Sequence, residues 1–180
     1  YYLKPANQCF TGNLFNFNAG GAFYDSTKIT WDFGPSALPS TSNNQNPTGV
    51  VYTTQGMKPI SIRYQDFGCD TTFVDSVHVY ELPVANFTID YVICVDLITS
   101  FIDSSLFSGT YQWDFGVPGI TSDTSSLQNP VYQYQDTGVY TVRLIVTSQY
   151  LLCAPDTVYK QVRIYPVLRP EFNLPANQCF

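Results

Sequence analysis

Trp31-Asp32-Phe33-Gly34 returns later in the chain as Trp113-Asp114-Phe115-Gly116. The hexapeptide Pro-Ala-Asn-Gln-Cys-Phe also occurs twice, at 5–10 and unchanged at 175–180. The two WDFG motifs are about one repeat apart, and the two hexapeptides are two repeats apart. Together these distances give a repeat unit of about 85 residues. We therefore predict two tandem modules, at 1–82 and 83–168, and the start of a third at 169–180.

Hydrophobic periodicity indicates the secondary structure of the unit. Apolar residues alternate or run together at 60–64 and 141–146, and again near each module end at 77–80 and 162–165. The chain is rich in strand-forming Tyr (14) and Phe (13), and only 12% of its residues are charged. Turn-rich stretches lie between the strands. The expected fold class is all-β, with an antiparallel β-sandwich of about seven short strands in each module.

Charge and hydropathy exclude two classes of partner. The net charge is −6 and the eight Lys and Arg residues are scattered, so no basic patch for nucleic acid is expected. Apolar runs such as 144–146 are far shorter than the ~20 residues of a membrane-spanning helix. No signal peptide opens the chain, so we expect any targeting segment to lie outside it. No cofactor is expected either.

The five cysteines follow the repeat. Each module has one near its start and one before its last strand, so we predict the disulfides Cys9–Cys69 and Cys94–Cys153. Cys179 would be the first cysteine of the third unit, left unpaired because the chain is cut there. Buried free thiols of a cytosolic protein are the alternative, which the matched spacing disfavours. A disulfide in each module points to an extracellular location.

The WDFG motif, the Asn129-Pro130 pair and the segment 137–144 together resemble the polycystic kidney disease (PKD) domain, an immunoglobulin-like sandwich. The pattern is close in the second module and degraded in the first. Such modules with paired cysteines resemble the arrays of very large surface adhesins and filaments of Bacteroidetes, exported by the type IX route. The resemblance implies tandem immunoglobulin-like (PKD-type) antiparallel β-sandwiches that serve as spacers, with no catalytic residues.

The side chains that could carry chemistry are few. His78 is the single histidine, and its alternating strand predicts a solvent-facing residue rather than a catalytic one. The aspartates form no calcium loop and are interpreted as turn residues. Trp31 and Trp113 are predicted core anchors rather than sugar platforms. The second module has more tyrosines than one core can hold, so some should be exposed and make lateral protein contacts.

Modification signals form a separate group. Asn86-Phe87-Thr88 fits the N-glycosylation pattern. Four triplets resemble the Asp-Ser/Thr-apolar acceptor of Bacteroidetes O-glycosylation, which gives the candidates Ser26, Thr71, Ser76 and Thr157.

Two functions from different classes fit the sequence. The first is a non-catalytic structural repeat of a cell-surface filament, stalk or adhesin that takes part in attachment, gliding or prey capture. Its partners would be copies of itself, with surface glycans or other cells as further candidates. The alternative is a carbohydrate-binding spacer module of a secreted hydrolase. Binding of a polysaccharide by the isolated chain would favour the second.

Overall fold

The computed structural model describes residues 2–21, 23–90, 94–150 and 153–167. These residues form strands and turns with no helix, which confirms the all-β prediction. It follows that no helix in the described part of the chain is long and apolar enough to cross a membrane. The predicted third unit at 169–180, with Cys179, lies outside the described residues.

The chain forms two compact units. The first contains Tyr1–Val84 with the short segments Leu106–Thr110 and Val146–Asp156. The second contains Ala85–Ser105, Tyr111–Ile145 and the chain from Thr157 onward.

The first sequence repeat forms a five-stranded sheet and two small two-stranded sheets. The large sheet has the order β2-β9-β8-β4-β6, and the small ones pair β1 with β3 and β5 with β7. All these pairings are antiparallel except that of β2 with β9, which is parallel. The strands are β1 (Tyr2–Leu3), β2 (Gln8–Cys9), β3 (Asn18–Ala19), β4 (Lys28–Asp32), β5 (Ala37–Leu38), β6 (Thr41–Ser42), β7 (Val51–Tyr52), β8 (Gly56–Asp66) and β9 (Cys69–Tyr80).

The core of the first unit follows from the two-residue period of its strands. Along β4, Ile29 and Trp31 point inward while the residues between them are exposed, so one face of the strand is apolar. Aromatic side chains fill most of the space. Phe17 lies against both Trp31 and Phe33, with ring centroids 5.5 and 4.8 Å apart. These contacts anchor the WDFG motif in the core.

The second repeat forms two sheets. One has the order β13-β12-β15-β16 and the other the order β10-β11-β14. Its buried aromatic cluster includes Phe87, Phe101, Trp113 and Phe115. The strands are β10 (Phe87–Asp90), β11 (Ile98–Asp103), β12 (Ser108–Asp114), β13 (Thr124–Ser125), β14 (Val131–Gln133), β15 (Gly138–Ser148) and β16 (Asp156–Ile164).

The β8–β9 hairpin is the longest element of the first repeat. Phe67 and Gly68 form its two-residue turn, and both have positive φ (45° and 86°), as a tight hairpin turn requires. β9 extends from Cys69 to Tyr80, whereas the sequence pattern predicted a strand only at 77–80. The pattern missed the first half because its residues are exposed on both faces, so burial imposes no alternation there.

Candidate functional site

The two tryptophans lie inside their units. Trp31 and Trp113 are 0% and 1% exposed. Each indole Nε1–H donates to a main-chain carbonyl oxygen, Trp31 to Asn44 at 3.0 Å and Trp113 to Leu127 at 2.8 Å. A buried indole with its one donor satisfied is a packing anchor and presents no ring face to a sugar.

The aspartates of the WDFG motifs shape the turns that follow them. The Oδ1 atoms of Asp32 and Asp114 accept hydrogen bonds from the Gly34 and Gly116 amides at 2.8 and 3.0 Å. Asp114 also forms a 3.0 Å ion pair with Arg143. Within the described part of the chain, no three His, Cys, Asp or Glu side chains come together as a metal site requires.

The structure pairs Cys9 with Cys153 and leaves Cys69 and Cys94 as free thiols. The Cα atoms of Cys9 and Cys153 are 5.4 Å apart, which is a normal separation for a disulfide. Both residues belong to the first compact unit, yet they come from successive sequence repeats. This pairing replaces the one that the repeat predicted within each module.

The lengths of β9 and β16, the last strands of the two repeats, explain why the predicted disulfide pairing was wrong. Cys9 lies beside Tyr80, at the end of β9, while Cys69 is the first of the 12 residues of that strand. At ~3.3 Å per residue the two cysteines are roughly 35 Å apart, against the ~7 Å that a disulfide allows between Cα atoms. In the second repeat the main chain of Cys94 forms an isolated parallel β-bridge with Tyr165, just after β16, whereas Cys153 precedes that strand. The two cysteines of one repeat therefore lie at opposite ends of a hairpin strand.

Aromatic rings flank the disulfide. Tyr150 stacks on Tyr80 with ring centroids 3.9 Å apart and planes 15° apart, and His78 lies 4.5 Å from Tyr80 on the same strand. His78 is half-buried, with its Nε2 3.9 Å from a Glu81 carboxylate oxygen. The prediction that His78 faces solvent was wrong, because the rings of Tyr80 and Tyr150 cover part of it.

The side-chain amides of Asn7 and Gln8, in the recurring hexapeptide, hold the strand that carries Cys9 in place. Asn7 donates from Nδ2 to the Tyr80 hydroxyl at 3.0 Å, and its Oδ1 accepts from the His78 amide at 2.9 Å. Gln8 makes a two-way bond with the Leu14 main chain, at 2.9 and 2.7 Å. The sequence held this signal, since Asn7 and Gln8 recur with the cysteine, but sequence reasoning assigned them no role.

An acidic residue of β9 fastens the first strand. Asp75 accepts hydrogen bonds from the Tyr2 hydroxyl and from Lys4 Nζ, the latter at 3.0 Å. The bond from Tyr2, followed by that from Lys4 and that from the Ser76 amide, lowers the pKa of Asp75 to about 2. The ionised carboxylate thus connects β1 to the hairpin.

The predicted surplus of tyrosines divides between core and surface. Tyr134 and Tyr140 are buried, and their hydroxyls donate to the carbonyl oxygens of Phe115 and Asp136 at 3.0 and 2.9 Å. Burial raises the pKa of Tyr134 above its usual range. The exposed tyrosines of this group are Tyr150, Tyr159 and Tyr165.

The predicted modification sites differ in exposure. Ser26, Thr71, Thr157 and Asn86 are exposed, and Ser76 is half-buried. Asn86 accepts a 2.7 Å hydrogen bond from Lys160 at Oδ1, and Ser26 donates one of 2.6 Å to Asp66. Modification at these positions stays a prediction.

The geometry of the second repeat, with its buried Trp113, its Asx turn at Gly116 and its two packed sheets, is typical of a known domain. Residues 80–161 match the family model of the PKD domain. Together with the sequence repeat, this match supports tandem PKD-like modules. The crystal structure of the PKD1 domain of Vibrio anguillarum Epp is also similar, at 29% identity with a TM-score of 0.39, covering 48% of this chain and 96% of that one.

Immunoglobulin-like structures cover more of the chain. An I-band fragment of titin is similar over 91% of this chain and 65% of its own, with a TM-score of 0.53 at 11% identity. Extracellular domains 3–5 of Drosophila OTK are similar over 88% of this chain and 58% of theirs, with a TM-score of 0.50 at 6% identity. These likenesses confirm the immunoglobulin-like β-sandwich. No curated protein sequence is similar enough to the chain to count as a match.

PKD and immunoglobulin-like domains are in general non-catalytic structural or adhesive modules, and those that contain a disulfide are typical of extracellular proteins.

Proposed function

We propose that this chain is a non-catalytic structural repeat of an extracellular filament, stalk or adhesin at the cell surface, exported by the type IX route and used in attachment, gliding or prey capture. Its modules associate with copies of themselves, along or across the array. Its task is to provide length and cohesion.

The observation that carries this proposal is the disulfide between cysteines of successive repeats, Cys9 and Cys153. A covalent link of this kind ties one repeat to the next in addition to the backbone. Such a link also limits how far the chain between the two cysteines can extend under tension, which suits a spacer in an array. The aromatic stack of Tyr80 and Tyr150 beside the bond reinforces the same junction.

An exposed apolar surface in the second unit supports lateral association. Ile98 and Ile102 on β11 and Val131 on β14 are 66%, 44% and 60% exposed and share the outer face of the β10-β11-β14 sheet. We name these three residues the outer apolar face. The chain as a whole carries few charges, which make up only 12% of its residues. Exposed apolar side chains on one face of a sheet favour side-by-side contact with another copy.

Sedimentation velocity of the purified chain across a concentration series tests self-association. The triple variant I98T/I102T/V131T keeps β-branched side chains but makes the outer apolar face polar, so the association should weaken at least ~10-fold, equivalent to about 1.4 kcal/mol. Val74→Thr is the matched control, since Val74 is 72% exposed on β9 of the other unit. A chain that stays monomeric at all concentrations, or an equal effect of the control, would contradict lateral association.

A polysaccharide pull-down separates this proposal from the carbohydrate-binding alternative. The buried tryptophans offer no stacking platform, so we expect no retention on cell-wall or plant polysaccharides. Specific retention that an exposed-tyrosine variant such as Y159A abolishes would reverse the order of the two functions.

A further inference from the structure

The first strand of each repeat packs its aromatic residue against the tryptophan of the same repeat. In β1, Tyr2 meets Trp31 edge to face, with ring centroids 5.9 Å apart and planes 89° apart. In β10, Phe87 meets Trp113 in the same manner, at 5.0 Å and 70°. The two aromatic residues therefore occupy equivalent places, and they differ in the hydroxyl group that Tyr2 alone carries.

The last strand of each repeat places a charged residue beside that first strand. β9 and β16 can be aligned on Tyr80 and Tyr165, because each tyrosine forms a parallel bridge with the first cysteine of its repeat. The residue five positions before the tyrosine is Asp75 in β9 and Lys160 in β16. We name these two the contact residues. They hold equivalent positions and carry opposite charge.

Asp75 is matched to a strand that carries hydrogen-bond donors. Its carboxylate accepts from the Tyr2 hydroxyl and, at 3.0 Å, from Lys4 Nζ. The side chains of Lys4 and Asp75 are 47% and 36% exposed, so their ion pair alone stabilises the contact only weakly. The hydroxyl bond to the charged carboxylate strengthens it. The strand supplies donors, and the ionised contact residue can only accept.

Lys160 is matched to a strand that carries acceptors. Its Nζ donates to the Phe87 carbonyl oxygen and, at 2.7 Å, to Oδ1 of Asn86. The same Nζ lies 5.0 Å from the centroid of the Phe87 ring, whose π face attracts a cation. Ile89 takes the place of Lys4, so the strand brings no cation of its own to Lys160. The polarity of the contact is thus the reverse of that in the first repeat.

A first strand placed in the other repeat would meet the wrong contact residue. In the second repeat, Lys4 would lie beside Lys160, and the repulsion between two ammonium groups would oppose the pairing. In the first repeat, Phe87 and Ile89 would leave the Asp75 carboxylate without its side-chain donors. Tandem repeats of one fold are prone to misassembly of this kind, because their strands share the same packing pattern.

We propose that Asp75 and Lys160 form a pairing code that selects the first strand of their own repeat over that of the other. The aromatic packing on tryptophan is common to both repeats and cannot discriminate between the strands. Reversal of charge at one equivalent position supplies the discrimination, by attraction in the correct repeat and by repulsion or lost hydrogen bonds in the other. The code opposes exchange of first strands both within one chain and between copies.

Transplanting the code tests whether the matched residues act as a unit. Y2F/K4I gives the first strand of repeat one the residues of the other first strand, D75K gives it the other contact residue, and Y2F/K4I/D75K combines the two changes. We expect the amides of β1 and β3 to exchange hydrogen about 3- to 30-fold faster in each partial variant. In the combined variant the rate should return close to that of the unsubstituted chain. Exchange in the combined variant that is as fast as in the partial variants, or faster, would overturn the code.

Val74→Lys is the matched control for the added charge. Val74 precedes Asp75 on β9 and is 72% exposed, and its side chain points to the opposite face of the strand. This variant should leave the exchange of β1 unchanged. The reciprocal set of F87Y/I89K, K160D and their combination repeats the measurement in the second repeat through the amides of β10 and β11. A variant that fails to fold therefore still leaves one complete set.

The crossed variant D75K/K160D tests strand exchange itself. It keeps the composition and net charge of the unsubstituted chain, but each contact residue now matches the first strand of the other repeat. Both proteins are unfolded in urea with the disulfide intact, refolded at high concentration, diluted and separated by size-exclusion chromatography. Strand-exchanged dimers persist on dilution, whereas copies held by the outer apolar face dissociate. We expect at least ~3-fold more persistent dimer from the crossed variant, and equal yields would show that the contact residues do not select strands.

Discussion

The glycines that end the two WDFG motifs provide a matched pair of substitutions. Gly34 and Gly116 have nearly the same backbone conformation, with φ of 82° and 77°. Their surroundings differ. A Cβ on Gly34 would lie 3.8 Å from the Pro59 carbonyl oxygen, an ordinary contact, whereas a Cβ on Gly116 would overlap the carbonyl group of Thr141, with its carbon at 2.9 Å.

The expected loss of stability on substitution by alanine follows from the positive φ and from the space around each glycine. Positive φ costs an L-residue about 1–2 kcal/mol, and the smaller entropy of the unfolded chain returns about 0.4–1 kcal/mol. G34A should therefore lower the free energy of unfolding by about 1 kcal/mol. G116A carries the same cost and must also displace the backbone of β15, the second strand from the edge of its sheet, which adds about 1–3 kcal/mol. We expect a difference of about 2 kcal/mol between the two variants.

Hydrogen exchange with mass spectrometry measures this difference unit by unit. Amides of β15 should exchange faster in G116A, and amides of β8 faster in G34A, relative to the unsubstituted protein. A difference of ~2 kcal/mol corresponds to about a 30-fold larger acceleration in G116A. Equal acceleration in the two variants would mean that the close approach of Gly116 to Thr141 is absent in solution, and would refute the reasoning.

Three further predictions concern charge, covalent linkage and packing. Because the pKa of Asp75 is lowered from 3.8 to about 2 in the folded protein, its ionised form stabilises the fold above pH ~4, and this contribution is lost as the pH falls from ~4 to ~2. D75N should be less stable at pH 7 and show a flatter loss of thermal stability between pH 5 and 2; an unchanged acid profile would contradict this. The double variant C9S/C153S should unfold at lower urea concentration, with up to about 5 kcal/mol lost for a sequence separation of 144, and reductant should have the same effect on the unsubstituted chain. W113F removes the indole donor from the Leu127 carbonyl and leaves a cavity, so urea denaturation followed by circular dichroism should show a loss of about 2–4 kcal/mol; a loss below ~1 kcal/mol would argue that the indole is not an anchor.

Much of the fold could be predicted because burial leaves a periodic trace in the sequence. β4 alternates between buried and exposed residues, and β15 does so along most of its length. The repeat of the WDFG motif placed a large anchor at the same point of each module, and both tryptophans are buried there. These features are local, so one chain suffices to detect them.

The disulfide could not be predicted in the same way. The repeat shows which cysteines are equivalent, but equivalence does not say whether partners belong to one repeat or to two. That depends on the distance between Cys9 and Cys69, which is set by the length of β9. The outer half of that strand is exposed on both faces and carries no periodic signal, so its length was underestimated. The aromatic stack at Tyr80 was missed for a different reason, because Tyr150 is distant in the sequence and meets Tyr80 only in the folded chain.

The parallel pairing of β2 with β9 has a mechanical consequence. The chain enters the repeat ahead of Gln8 and leaves it after Tyr80, and the two strands run in the same direction. When the Cys9–Cys153 disulfide is reduced, a pull on the two ends slides these strands past each other and loads their hydrogen bonds in shear, all together, instead of peeling them apart one by one. In the oxidised chain the disulfide carries that load instead. The corresponding bridge between Cys94 and Tyr165 repeats this geometry in the next module. Resistance to stretching is thus built into the order in which the chain visits its strands.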